Sequence, residues 1–432
     1  MAHNLIKRSI FSEILNHLRE KEMTVIIGPR QTGKTTLLEQ IKDYLVNSAP
    51  ARQRVEPESL FYFNLDLTKD LALFSQQKNI INFIKDRKRG DGTLYLFIDE
   101  AQKIVNAGTF LKGVYDLKLG VKFVLTGSSS MEIKSKIQES LTGRKKIFKL
   151  MPLSFSEYAA YKNSALFKII KKGKTISDYD FYEWEKLIND FAVFGGYPRA
   201  AIEHNTDKKV ELIEEIYNSY LEKDIINFLK IQKPISFSRV ASLLAARAGG
   251  LLNVNNLAKE TGVEVKTVNY YLTILEETFI IKRIKPFFTN AKKELVKAPK
   301  VYFIDNGLRN FALMNFNNLS ERIDRGAVFE NLIASELLKI VKPPHSLHYW
   351  RSLQKAEVDF VVRKGDGEII PIEVKAQKMD KPAVSRGYGS FLAKYNPKKA
   401  MLVNYNLRKT NKIGKTDLIA LTVADIKTEL GL

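Results

Sequence analysis

The sequence predicts an α/β protein: a parallel sheet with helices on both faces, then a helical segment, a winged helix-turn-helix and a second, smaller α/β region. Three observations predict it. Through residues 1–150, short apolar runs alternate with helical stretches, the pattern of a parallel sheet with crossover helices. The first of those runs ends in a glycine-bounded octapeptide, Gly28 to Thr35. Further on, residues 251–285 read as helix, glycine turn, helix and strand, the layout of a winged helix-turn-helix.

Taken in order, Ile10, Ile14, Leu15 and Leu18 share one face of a helix over residues 10–20. Thr24 to Ile27 is a buried strand that enters a loop at Gly28, and residues 36–45 form the helix that leaves it. Further strands are expected at residues 60–65, 94–98 and 121–125. Residues 151–240 read as mostly helical, and the lysine-rich stretch from Lys162 to Lys174 reads as an exposed turn or insertion. Asn253 to Glu260 and Lys266 to Thr278 are the two helices around the Thr261-Gly262 turn, and a strand begins at Ile280. A helix over residues 329–341 and strands over 358–363 and 369–375 complete the pattern.

The 432 residues suggest two to four domains. Lys and Arg number 69 against 48 Asp and Glu, a formal net charge of +21. That excess favours a polyanionic partner, nucleic acid before an anionic membrane surface. The chain has no Cys, which excludes disulfides and thiolate zinc sites. It has no apolar run of about 18 residues, so no membrane span is expected and a soluble, cytoplasmic protein is the default reading.

Gly28-Pro29-Arg30-Gln31-Thr32-Gly33-Lys34-Thr35 fits G-x-x-x-x-G-K-[ST] between a strand and a helix. Glycines let backbone N–H groups turn inward around a β-phosphate, and the following helix points its N-terminus at the anion. Lys34 would reach the β- and γ-phosphates of ATP, and the Thr35 hydroxyl would ligate Mg²⁺. The apolar run 94–98 delivers Asp99 and Glu100 at its C-terminal end, where ligands bind in open α/β sheets. Asp99 would hold Mg²⁺ through water, and Glu100 would polarise the attacking water. The run 121–125 ends in Thr126-Gly127-Ser128-Ser129. Either Thr126 or Ser128 is a candidate to stand between the γ-phosphate and that water; a plain hydroxyl-rich loop also fits. Arg144, in Leu141-Thr142-Gly143-Arg144, is a candidate arginine finger on a neighbouring subunit's ATP, or simply a surface arginine.

Lys282, Arg283, Lys285, Lys292, Lys293, Lys297 and Lys300 form a basic stretch around Phe287 and Phe288, with Glu294 as its one acid. Phosphate neutralisation calls for such a patch, and a solvated wing would also show it. Finally, Asp359 stands in one strand, and Glu373 and Lys375 share a face of the next. These carboxylates, with Glu330 from the preceding helix, are candidate ligands of a divalent metal, and Lys375 a candidate to orient water. Charged residues on the exposed face of a hairpin would give the same alternation.

These residues together resemble a known family over nearly the whole chain. Residues 1 to about 150 resemble AAA-superfamily ATPases of the bacterial and archaeal ATP-binding-protein type. The phrases that carry the resemblance are Gly28 to Thr36, Asp99-Glu100-Ala101-Gln102-Lys103, Leu125 to Ser130, Leu141 to Arg144 and Leu150 to Tyr158. Phe194-Gly195-Gly196-Tyr197-Pro198-Arg199 resembles the glycine-x-proline feature of related signalling and origin-recognition-like ATPases. That likeness implies Arg199 as a second sensor of the γ-phosphate, beside a cofactor-binding set of Gly28 to Thr36. The end of the chain resembles the PD-(D/E)xK nuclease fold, with Glu330, Asp359, Glu373 and Lys375 in the motif places but no proline before Asp359.

The expected organisation is an AAA-type ATPase core over residues 1–150, a helical lid over 151–240, a winged helix-turn-helix over 241–310 and a restriction-endonuclease-like α/β domain over 311–432. The expected function is an ATP-hydrolysing motor or switch on DNA, in a homo-oligomer, with metal-dependent nuclease activity left open. The alternative is a signalling-type switch whose C-terminal modules bind a protein and cut nothing.

Overall fold

The computed structural model describes residues 5–90, 92–128, 141–172, 177–219, 234–288 and 298–432. It comprises two compact units, Met1–Met151 and Pro152–Leu432.

The first unit is built on five strands: β1 (Met23–Gly28), β2 (Leu60–Asn64), β3 (Leu94–Asp99), β4 (Val121–Ser128) and β5 (Lys145–Lys149). They run in the order β2-β3-β4-β1-β5, every neighbouring pair parallel. Every residue of β1 is buried, which is why a central strand of a parallel sheet reads as an unbroken apolar run. Helices Ile10–His17 and Lys34–Asp43 pack Ile10, Ile14, Leu37, Leu38 and Ile41 against Ile26, Phe97 and Val124 of the sheet. The register pairs Gly28 with Ser128 and Ile98 with Leu125. The C-terminal ends of β3, β4 and β1 therefore open on the same edge, and the chemistry-bearing residues collect there. Strand β5, Lys-Lys-Ile-Phe-Lys, gives no apolar run because it is an edge strand with one fully buried side chain, Phe148.

A buried polar knot closes the turn between the first helix and β1. Lys122, 3% exposed, donates to the backbone carbonyls of His17 at 2.9 Å, Glu20 at 2.8 Å and Glu22 at 2.5 Å. An ammonium there satisfies carbonyls that the helix end leaves without partners. His17 lies 2.8 Å from the Thr24 hydroxyl. Burial first, then the Lys122 and Lys146 charges, lower its pKa to about 4 against the opposing pull of Glu22. The unfolded chain therefore binds more protons than the folded one between about pH 4 and 6.5. His17 stability is present above pH 6.5 and is lost as pH falls through this window. The expected result is that His17→Gln flattens the fall of Tm over this window relative to wild type; parallel Tm curves would refute the assignment.

The second unit begins with helices Phe155–Lys162, Ser164–Lys171, Asp178–Phe194, Pro198–Ile202 and Thr206–Ser219. The lysine-rich stretch expected to be an exposed turn or insertion is helical from Ser164 to Lys171: Leu166 and Ile170 are buried one turn apart while Lys168 and Lys171 face outward. Asn163 caps that helix by accepting the Leu166 N–H. Helices Pro234–Ala246, Val254–Thr261 and Val265–Glu277 follow, with Gly262 in the turn between the last two. Two antiparallel strands, β6 (Ile281–Ile284) and β7 (Lys300–Phe303), form the wing.

Helices Asn306–Ala312 and Arg325–Ile340 lead to a mixed sheet of β8 (Ser346–Arg351), β9 (Glu357–Arg363), β10 (Ile369–Val374), β11 (Lys399–Val403), β12 (Lys409–Ile413) and β13 (Thr416–Leu421). Its order is β12-β13-β11-β10-β9-β8. Helix Arg386–Tyr395 covers one face, packing Phe391 and Leu392 with Trp350, Val358, Val361 and Leu402.

The phrase Phe194-Gly195-Gly196-Tyr197-Pro198 has a structural cause. Asp305, buried, accepts the N–H groups of Gly196 at 2.7 Å, Gly307 at 2.9 Å and Leu308 at 3.4 Å. Gly195 has φ +76°, and a Cβ there would lie 2.1 Å from the Asp305 carboxylate. Asn306 and Asn310 both donate to the Ala192 carbonyl. Two phrases 109 residues apart thus form one polar core.

Candidate functional site

The loop after β1 is shaped by backbone constraints. A Cβ on Gly28 would stand 2.0 Å from the Leu150 carbonyl oxygen, so any larger residue there would push the loop off the end of β5. Gln31 and Gly33 take left-handed backbone, with φ of 58° and 86°. The Thr32 hydroxyl donates to the Pro29 carbonyl at 2.9 Å. Lys34, the first residue of its helix and 6% exposed, spans the loop by donating to Pro29 O at 2.8 Å and Gly28 O at 3.1 Å. Arg30 and Gln31 are half-buried at the rim, while Thr35 and Thr36 are exposed on the first turn of the helix.

Asp99 is the hub of the site. It is 3% exposed. Its Oδ2 accepts the hydroxyls of Thr35 at 2.6 Å and Tyr62 at 3.0 Å, and its Oδ1 accepts the Thr126 hydroxyl. Thr126 in turn accepts the Glu100 N–H at 3.3 Å. Sequence reading had Thr126 as a candidate to face the γ-phosphate; the structure instead commits its hydroxyl to Asp99. Ser128 stands beside Gly28 at the end of β4, and Ser129 lies outside the described residues. Glu100 follows with φ 58°, strain of roughly 1–3 kcal/mol for a non-glycine residue that clusters at functional sites. Its carboxylate accepts the Gln102 side-chain N–H.

The donor set fits ATP and Mg²⁺. A helix N-terminus and a loop of inward backbone suit a polyphosphate. A hydroxyl and a carboxylate oxygen already in contact, from Thr35 and Asp99, suit a hard cation. Two residues invisible to motif reading complete the frame. Arg8 donates to Thr32 O at 2.9 Å and Met151 O at 2.6 Å, pinning the loop to the end of β5. Tyr62 braces Asp99 from the neighbouring strand. Neither lies near the loop in sequence, so no local signal marks them.

The arginines lie elsewhere. Arg144 precedes β5, and its carbonyl accepts the N–H of Met23 at the start of β1, the opposite end of that strand from Gly28. Its guanidinium forks onto Asp116, at 2.7 and 3.2 Å. It therefore does not reach the loop of its own chain. Arg199 belongs to the second unit, where it pairs with Glu215 at 3.0 Å on an exposed surface.

The basic stretch is not the continuous patch expected. Lys282 and Arg283 both pair with Glu276, at 2.6 and 2.7 Å. Phe287 is buried against Trp350 and Phe391 in the C-terminal core, and Lys300 is 2% exposed. Lys285 is exposed; Lys292, Lys293, Glu294 and Lys297 lie outside the described residues. The solvent face of helix Val265–Glu277 presents Lys266, Asn269, Tyr270 and Thr273 instead.

In the C-terminal sheet, Glu330, Asp359, Glu373 and Lys375 line one pocket of about 400 Å³ with Glu357 and Ser385. Antiparallel pairing of Ile372 with Phe360 brings Glu373 and Asp359 side by side. Burial first, then Glu330, and more weakly Glu373, raise the Asp359 pKa above the ordinary carboxylate range, against the Val374 N–H and Lys300. Yet each carboxylate is already engaged. Glu373 takes Lys375 Nζ at 2.7 Å and the Ser385 N–H at 3.2 Å; Asp359 takes the Val374 N–H at 2.8 Å; Glu330 takes the Tyr302 hydroxyl at 2.6 Å. Among the described residues, no three His, Asp or Glu side chains are placed to hold a metal ion. Glu330, Asp359 and Glu373, the metal set expected from sequence, thus line one pocket, each with a donor of the chain on one of its oxygens.

Residues 20–159 match the AAA domain family, residues 185–320 a domain of unknown function (DUF8612) and residues 325–423 a domain of unknown function (DUF4143). An uncharacterized protein of Haemophilus influenzae is 26% identical over 393 residues, 87% of this chain and 88% of its own length. One from Methanocaldococcus jannaschii is 27% identical over 372 residues, 85% of this chain and 78% of its own. A Walker-type ATPase of Pyrococcus abyssi superposes with a TM-score of 0.45 at 14% identity, covering 72% of this chain and 96% of that one. No described helix is long and apolar enough to cross a membrane. The parallel sheet, the loop it carries and the family match together make the first unit a P-loop AAA-type ATPase core, followed by a C-terminal domain of unknown function.

Proposed function

We propose that this chain binds ATP at Gly28 to Thr36, hydrolyses it, and uses turnover to switch a winged helix that binds duplex nucleic acid without cutting it. The observation that carries the ATPase reading is the 2.6 Å bond between Thr35 and Asp99, which joins the loop to β3 and sets Glu100 next to it. Lys34 leaves the Gly28 and Pro29 carbonyls for the β- and γ-phosphates. Glu100 polarises the attacking water, as a carboxylate general base does. Thr126 and Tyr62 hold Asp99 in place. A divalent cation, held by Thr35 and Asp99, supplies positive charge at the phosphate oxygens when bound.

Support for the nucleic-acid reading is the net charge of +21 and the exposed polar face of helix Val265–Glu277, since a recognition helix reads base edges and phosphates with such side chains. The test is ATP turnover with and without duplex DNA, beside the salt dependence of DNA binding. Turnover is expected to rise with DNA. Lys266→Ala with Lys285→Ala is expected to flatten the slope of log K against log salt by about 0.9 for each phosphate that the variant no longer neutralises. Turnover indifferent to DNA, with an unchanged slope, would favour a protein partner for the winged helix. The ion pairs that tie Lys282 and Arg283 to Glu276 speak for that second reading.

A further inference from the structure

Lys300 opens strand β7 of the wing, yet its side chain is 3% exposed and reaches two carboxylates that line the acidic pocket of the C-terminal sheet. Its Nζ contacts Glu357 Oε1 at the start of β9 and lies 3.4 Å from Glu330 Oε1 of helix Arg325–Ile340. The Tyr302 hydroxyl, two residues along β7, donates to the same Glu330 oxygen at 2.6 Å. Arg351 approaches the other Glu357 oxygen at 3.5 Å. A buried ammonium persists when carboxylates surround it and is costly when they do not. Burial works against the Lys300 charge, but Glu330, Glu357 and Asp359 outweigh it and hold its pKa above the ordinary lysine value.

We propose that the Lys300 ammonium is the resident cation of this acidic cluster, held between Glu330 and Glu357 beside Asp359 in place of a divalent metal and fastening the wing to the C-terminal sheet. A divalent ion needs several oxygens at about 2.0–2.6 Å. Glu330 and Glu357 offer the oxygens that face Lys300 only if the ammonium leaves, and a displaced Lys300 would be a buried, unpaired charge. Metal and lysine therefore exclude each other. The pocket keeps the residue types of a metal site, and Lys300 from the neighbouring strand β7 adds to the positive charge that Lys375 brings beside Glu373. Nothing in this arrangement depends on the ATPase site.

Mn²⁺ alone is the probe, titrated into the nucleotide-free full chain and followed by electron paramagnetic resonance. Wild type and Asp359→Asn are expected to bind Mn²⁺ equally, any contribution of the ATPase loop being common to both. Lys300→Met is expected to gain one further Mn²⁺ site, which the double variant with Asp359→Asn loses. The Tm of Lys300→Met should be below wild type without metal and recover with Mn²⁺, while the wild-type Tm shows no rise that Asp359→Asn removes. Mn²⁺ binding by wild type that Asp359→Asn abolishes would overturn the proposal. So would a folded Lys300→Met that gains no site. If Lys300→Met does not fold, Lys300→Gln replaces it, because it removes the charge while keeping a polar end that can donate to Glu330 or Glu357. A weaker gain of Mn²⁺ binding is then expected, and no gain overturns the proposal.

Discussion

Glu100→Gln is expected to bind ATP as wild type does and to hydrolyse it about 10²–10⁴-fold more slowly, the usual size of a general-base contribution. The substitution keeps the shape of the side chain and an oxygen for the Gln102 N–H, so the left-handed turn after β3 has no new reason to move. What is lost is the negative charge that polarises water. Lys34→Ala separates the other half of the site. It removes the buried ammonium that spans the loop, so nucleotide affinity is expected to fall along with turnover. Nucleotide titration and single-turnover hydrolysis on both variants distinguish the two roles. Hydrolysis by Glu100→Gln at the wild-type rate would remove Glu100 from the mechanism.

Asp305→Ala is expected to destabilise the second unit by at least about 3 kcal/mol, because the buried N–H groups of Gly196, Gly307 and Leu308 lose their acceptor and each such loss costs about 1–3 kcal/mol. Asp305→Asn, which keeps one acceptor oxygen, should lose less. Gly195→Ala should behave like Asp305→Ala from the other side, since its Cβ would strike that carboxylate at a backbone angle that alanine disfavours. Urea unfolding of the three variants checks the order. An Asp305→Ala variant with the wild-type midpoint would mean that the phrase around Gly195 is not held by this contact. Arg199 would then regain weight as the reason for that phrase.

Some of this molecule was legible from local pattern. The strand-loop-helix around Gly28 and the strand ending at Asp99 could be read because parallel-sheet strands are continuous apolar runs and their chemistry sits at their ends. The helix-turn-helix could be read from a glycine between two amphipathic periods. Strand β5 could not, because an edge strand with one buried side chain has no such run. Helix Ser164–Lys171 was hidden by its lysines, although Leu166 and Ile170 mark its inner face.

The site shows the same division. Residue type and spacing marked Lys34, Thr35, Asp99 and Glu100 as candidates to handle ATP, since a phosphate cradle and a carboxylate strand end need those groups in that order, and the structure brings Thr35 and Asp99 into contact. Tertiary structure decided everything that depends on residues meeting from afar. Arg8 reaches the loop from 24 residues away, and Tyr62 reaches Asp99 from the next strand. Thr126 turned from a candidate γ-phosphate sensor into a ligand of Asp99. Lys300 turned from a wing cation into a buried partner of Glu330 and Glu357. The physical reason is common to all four. A sequence reports what each side chain can donate, accept or bury, whereas its partner is chosen by packing across elements distant in the chain, where burial makes an unpaired polar group too costly to leave alone.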